Sequence, residues 1–413
     1  MGNVLGSPKG NALNPRLEPD PIIPEPYLTP GNRTLGFLFD DHQKAYPINW
    51  SWDMGIPDKH IDETWVTIML GSGLRLDGAG GKTPYVTLWD DEGKRVGQHW
   101  PADDAQLWNN DKLSDKTFKI QHAHARDKMV TAKYVMISLF DGDGLCLSAV
   151  QVSNGLESTT WYGDMGQYCG MQWYLSERKL GHDLPAPKCV WLATDLGYSS
   201  SLHWHVPDVY GTKSKLAGYL MDQQKYMCHS TPRFAEWRGL TADGIIPFFK
   251  PVLQYEVDAE TGLPGRDKTP EDAVDKIQWN KNANRFPSPH FGRSLPSTTQ
   301  NETQSSSSRK KRGFNPNTGH LIITEQKGHE ASLVCNSTTS YGWDVVSLRE
   351  RKYCDMTVRR LYHLCDSGRQ ENCFDVDKEK LVGKGGINAR GEASLLGVPE
   401  KRYTSRTHWK HGV

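Results

Sequence analysis

Long apolar runs are missing from this chain. None of its 413 residues belongs to a stretch of the roughly 18 to 20 apolar residues that a membrane-spanning helix needs, so the sequence predicts no transmembrane segment. Residues 1–30 also lack the apolar core of a secretory signal, which taken alone argues for an intracellular protein. An excess of either charge is missing too. Lys plus Arg and Asp plus Glu both total 49, leaving no global field to gather nucleic acid or an anionic membrane. Local catalytic signatures are absent as well: there is no GxSxG elbow, no HExxH helix and no CxxC zinc pair. The glycine-rich run GSGLRLDGAGGKT fails as a phosphate loop, because Leu76 stands where GxxxxGKT needs its first Gly and a strand pattern follows Thr83.

What is present points to β structure. Apolar residues make up 37%, with 24 Pro, 39 Gly and 14 Trp, a loop-rich composition with bulky core anchors. Short runs bounded by Gly, Asp or Pro read as strands: residues 64–70 (TWVTIML), 84–90 (PYVTLWD), 116–121 (KTFKIQ), 133–140 (KYVMISLF) and 145–152 (LCLSAVQV). The acidic Gly-containing segments at 90–93 and 141–144 read as hairpin turns. The expected fold is mostly β, an N-terminal antiparallel β-sandwich followed by a disulfide-stabilised irregular α+β region. The expected organisation is a Pro-rich arm (1–30), the sandwich (31–155), a Trp- and Cys-containing extension packed on it (156–285), a disordered Ser-rich basic linker (286–313) and a small cysteine module (314–413). Helices are expected at 213–227 and 269–277.

The cysteines argue against the intracellular reading. Eight is an even number, and Cys335, Cys354, Cys365 and Cys373 crowd at spacings that suit short-range disulfides better than zinc. Sequons at Asn32, Asn49, Asn301 and Asn336 mark candidate glycosylation sites of a secreted protein. The balance favours secretion. Cys169 and Cys189 flank a loop whose closure is worth about 3 kcal/mol on the chain-entropy model, which leaves Cys146 and Cys228 for each other or for partners that spacing does not assign. The basic run Arg309, Lys310, Lys311, Arg312 has three readings: a solvated charge run, a processing site of the secretory pathway, or a nuclear-import patch in an intracellular protein.

Two resemblances accompany these patterns. The order PYVTLWDDEGKR, DKTFKIQ, KYVMISLFDGDGLCLSAVQV resembles the PLAT domain over residues 60–155, which implies a β-sandwich that binds lipid surfaces or protein partners, sometimes with calcium at acidic turns. The segments YCGMQWYLS and KCVW, with LVCNSTTSYGWDVVSLRERKYCDM, LYHLC, NCFDVDKEKLV and KRYTSRTHW, are similar to secreted fungal proteins of unassigned function that carry a C-terminal cysteine module. That likeness implies secretion and disulfides. Within the module we pair Cys335 with Cys354 and Cys365 with Cys373.

Few residues offer chemistry. On a strand, His203 and His205 share a face, and with Asp208 they form a candidate Zn²⁺ site for a metal- or carboxylate-dependent hydrolase. Asp141 and Asp143 form a candidate Ca²⁺ turn. Trp161, Trp173 and Trp204 fit either core packing or stacking on a sugar or lipid. No cofactor is required by any motif. The reading is a secreted, non-enzymatic protein that binds an extracellular carbohydrate, lipid or protein surface, with the hydrolase near His203 and His205 as the alternative.

Overall fold

The structure, a computed structural model, describes residues 36–39, 45–48, 62–72, 79–102, 105, 115–123, 132–139, 143–153, 158–178, 186–194, 199–209, 227–230, 232–238, 240, 253, 255–257, 264–267, 319–383 and 401–410. The arm at 1–30, the linker at 286–313 and the helices expected at 213–227 and 269–277 lie essentially outside them. So do Asn32, Asn49, Asn301, Asp141 and Arg309, Lys310, Lys311 and Arg312. The described chain is mostly β, as expected.

A hairpin of β1 (Gly36–Phe39) and β2 (Ala45–Ile48) precedes the sandwich. The sandwich uses β3 (Glu63–Leu70), β4 (Tyr85–Trp89), β5 (Arg95–His99), β6 (Asp115–Gln121), β7 (Tyr134–Ser138) and β8 (Leu145–Ser153). It continues through β9 (Ser158–Tyr162), β10 (Trp173–Tyr174), β11 (Cys189–Leu192), β12 (Ser201–His205) and β13 (Phe234–Trp237). One sheet runs β10-β11-β8-β3-β6 with β9 also on β8, and the other runs β13-β12-β7-β4-β5. The sandwich therefore does not end near residue 155. β9 to β13 belong to the same two sheets, so the expected extension is part of the sandwich rather than a layer packed on it. A further hairpin joins β14 (Tyr255–Val257) to β15 (Pro264–Asp267).

Alternation decides which face is inside. Val66, Ile68, Leu70, Val150 and Val152 from one sheet meet Val86, Leu88, Val135, Ile137, Leu202 and Trp204 from the other in one buried cluster. β8 is buried at every position, which fits its near-continuous apolar run. Along one side the two sheets are joined edge to edge, where the Ala123 amide donates to the Val96 carbonyl at 2.7 Å. Gly97 permits this approach, since a Cβ there would stand 2.7 Å from Ile120 Cγ2.

The C-terminal module is a mixed sheet of β16 (His320–Thr324), β17 (Asp344–Ser347), β18 (Lys352–Asp355), β19 (Arg360–Leu364), β20 (Cys373–Asp375), β21 (Lys380–Val382) and β22 (Ser405–Trp409). Its order is β21-β20-β19-β18-β17-β16-β22. Three of its turns share one construction. Ser347, Asp355 or Asp375 accepts a backbone amide three residues on, and Arg351, Arg359 or Glu379 closes the turn at positive φ.

The module is not a separate bead. Residues 339–341 add to the free edge of β10: the Trp173 amide donates to the Thr339 carbonyl at 3.1 Å and the Tyr341 amide to the Trp173 carbonyl at 2.8 Å. The Trp191 indole donates to the Tyr341 carbonyl at 2.6 Å, and the Tyr174 hydroxyl donates to the Trp343 carbonyl. Gly342 makes the fit, because any Cβ there would overlap the Tyr174 ring.

All eight cysteines are paired. Cys335–Cys354 and Cys365–Cys373 are the pairs expected within the module. The other two pairs differ from expectation: Cys146 joins Cys189, and Cys169 joins Cys228. Cys146 lies on β8 and Cys189 on its neighbour β11, with Cα atoms 5.2 Å apart, which is bridging distance. Strand adjacency, and not closeness in sequence, selects the partner.

Candidate functional site

The outer face of the five-stranded sheet carries one cluster of buried polar side chains. β12 turns Leu202 and Trp204 into the core, so Ser201, His203 and His205 point the other way, beside Tyr134 and Met136 of β7. His203 and His205 thus share a face, as expected, but each is held by the protein rather than offered to a common ion. The Trp237 indole donates to His203 Nδ1 at 2.7 Å, placing the proton of a neutral ring on Nε2.

His205 sits between two carboxylates. Its Nδ1 lies 2.8 Å from Asp208 Oδ2 and its Nε2 lies 3.0 Å from Asp91 Oδ1. Asp208 belongs to a 3₁₀ turn that begins directly after β12, and its other oxygen is 3.6 Å from Arg233 Nε. Asp91 stands in the turn between β4 and β5, which Asp90 closes by accepting the Glu92 and Lys94 amides. Burial lowers the pKa of His205, but hydrogen bonds and charge from Asp208 and Asp91 outweigh it and leave the pKa raised. A ring donating from both nitrogens is an imidazolium, and it lacks the lone pair a metal ligand or general base uses. Tyr134 packs 4.7 Å from His205, and its hydroxyl is pushed well up by burial and by the charges of Asp91 and Asp208.

No protein-family model matches the chain, and no curated protein is similar to it.

Among the described residues, no group of three or more His, Cys, Asp or Glu side chains is arranged to hold a metal ion. Of the expected trio, His205 and Asp208 are brought together, but as an ion-pair chain that runs on to Asp91 and Arg233, while His203 on the same face accepts the Trp237 indole. Asp143 is exposed, with its carboxylate beside Gly81. The tryptophans weighed for stacking are core residues: Trp161 is 1%, Trp173 0% and Trp204 0% exposed, and Trp161 stacks on Trp204 at 5.6 Å.

Trp100, which none of the sequence patterns marks, is instead 55% exposed. It follows β5 and meets Tyr85 of β4 edge-on, with ring centroids 4.9 Å apart and planes at 85°, forming an aromatic corner at the rim of the sheet. Next along these strands, Arg95 Nη1 donates to Gln98 Oε1 at 2.6 Å, and the Arg95 guanidinium lies 5.7 Å from the Trp89 ring centre. The signal that could have found Trp100 was its place at a strand end before Pro101, where alternation no longer buries a side chain.

The module holds a second polar cluster. Lys401 bridges Asp344, at 2.6 Å, and Asp355, while the Tyr353 and Tyr403 hydroxyls bond Asp344 at 3.2 and 2.6 Å. Burial and the neighbouring carboxylates hold both phenols far above their usual range, so they act as donors. With Asp344 and Asp355 both tied to Lys401, the arrangement suits structural cross-linking.

Proposed function

We propose that this is a secreted, disulfide-stabilised protein, of the kind fungi export, that binds an extracellular carbohydrate, lipid or protein surface without chemistry of its own. The carrying observation is the aromatic corner of Trp100 and Tyr85. An exposed indole buttressed by a second ring offers large contact area with little conformational entropy to lose. Four disulfides fit a protein that works in an oxidising compartment.

The test is a binding screen of the full chain and its Trp100→Ala variant on immobilised glycans, on liposomes and on proteins of the producing cell's surroundings. A ligand that Trp100→Ala binds about thirtyfold more weakly, a hot-spot loss of roughly 2 kcal/mol, supports the reading. Binding indifferent to Trp100, or turnover of a screened compound, would sink it.

A further inference from the structure

Asn336 is one of the four sequon asparagines, and it alone lies among the described residues. It ends the helix Ala331–Asn336, here α1, one residue beyond Cys335 and its bridge to Cys354. Both residues that define the sequon, Asn336 and Thr338, are exposed. The residue between them is not idle. Ser337 Oγ accepts the Trp173 indole at 3.1 Å and the amides of Thr339 and Ser340 at 3.3 and 3.2 Å, and its carbonyl accepts Arg359. The backbone of the sequon is thereby pinned at the seam where 339–341 joins β10, while its asparagine faces water.

We propose that Asn336 carries an N-linked glycan, rooted on the rim of this seam. The donor is a lipid-linked oligosaccharide diphosphate. A bond forms between Asn336 Nδ2 and C1 of the first sugar, the C1–O bond to the diphosphate breaks, the diphosphate keeps the electron pair, and Nδ2 gives up one proton. The proposal rests on the secreted reading and adds to it a site and a timing. Transfer requires an open backbone around the sequon, so it precedes the docking of Ser337 on Trp173. The finished glycan then stands beside the turn that Arg359 ties to Ser337 and Ser340, which also bears Val358, an apolar side chain left 40% exposed. A hydrophilic cover there shields an otherwise open apolar spot. No buried contact is disturbed, because the acceptor side chain points outward.

The full chain is recovered from its producing cells or their medium and mapped as peptides after peptide-N-glycosidase treatment. The expected result is Asn336 converted to Asp by the enzyme in isotopic water, with Asn336→Gln and Thr338→Ala each removing one glycan's mass while four disulfides persist. Two variants guard against a folding defect in either. An unmodified Asn336 peptide from protein that holds all four disulfides overturns this proposal and leaves the secreted reading standing. Eight free thiols together with a bare Asn336 overturn both.

Discussion

His205 shows how one residue type can mislead and inform at once. Alternation puts it on a face with His203, and that much holds. The ion it neutralises is the pair Asp208 and Asp91, and its loss leaves two carboxylates facing a gap. His205→Asn is expected to destabilise the fold by about 3 kcal/mol in urea denaturation, the usual cost of removing one member of a buried charged set. The pH dependence has a definite sign. The folded pKa is raised, so the stabilisation is fully present below the unfolded value of about 6.5 and is lost as pH rises through the folded value. The gap between wild type and His205→Asn should therefore shrink as pH rises above the ordinary imidazole range and through the raised folded value. A gap that widens would contradict the paired imidazolium. Lys401→Met poses the same question in the module: Asp344 and Asp355 lose their shared cation, and a loss of about 3 kcal/mol is expected by the same measurement. Neither Asp91 nor Lys401 was legible beforehand, since each reaches its partner across a long stretch of chain.

At the scale of elements, the strands were readable and their neighbours were not. Runs such as TWVTIML and LCLSAVQV reveal period and burial, and their observed bounds differ by a residue or two from those expected. Which strand lies beside which is set by packing of whole faces, and the disulfides follow that choice. Cys146 and Cys189 were separable only once β8 and β11 were seen as neighbours. On the chain-entropy model, the Cys169–Cys228 bridge, with a separation of 59 residues, is worth about 4 kcal/mol, and the Cys365–Cys373 bridge, with 8, about 2.5 kcal/mol. Paired Ser substitutions at each bridge, compared by thermal unfolding, should rank in that order. Gly342→Ala tests the joint between β10 and 339–341. Its methyl has no room against Tyr174, so proteolysis between the sandwich and the module should quicken while the cores of both stay protected.

Across the whole molecule, the expected division into sandwich, extension and module gives way to two sheets plus a docked third. The extension looked different because tryptophans and cysteines replace the alternating aliphatics there. Those residues serve the same core: Trp161, Trp173, Trp191, Trp204 and Trp343 join Val66 and Ile137 in one cluster. The mostly β class was legible from composition and turns. The aromatic corner was not, because exposure of a tryptophan is a property of the assembled rim.

The bridges also divide the chain. Cys146–Cys189 and Cys169–Cys228 lie wholly before residue 268, and Cys335–Cys354 and Cys365–Cys373 wholly after residue 318. A single peptide thread connects the halves. One cut at Arg309–Arg312 would turn one covalent chain into a two-component complex, and what had been a folding equilibrium would acquire a dissociation constant. Dilution would then matter: the nicked protein should elute as one species when concentrated and shed its module when dilute, whereas the uncut chain elutes alike at both.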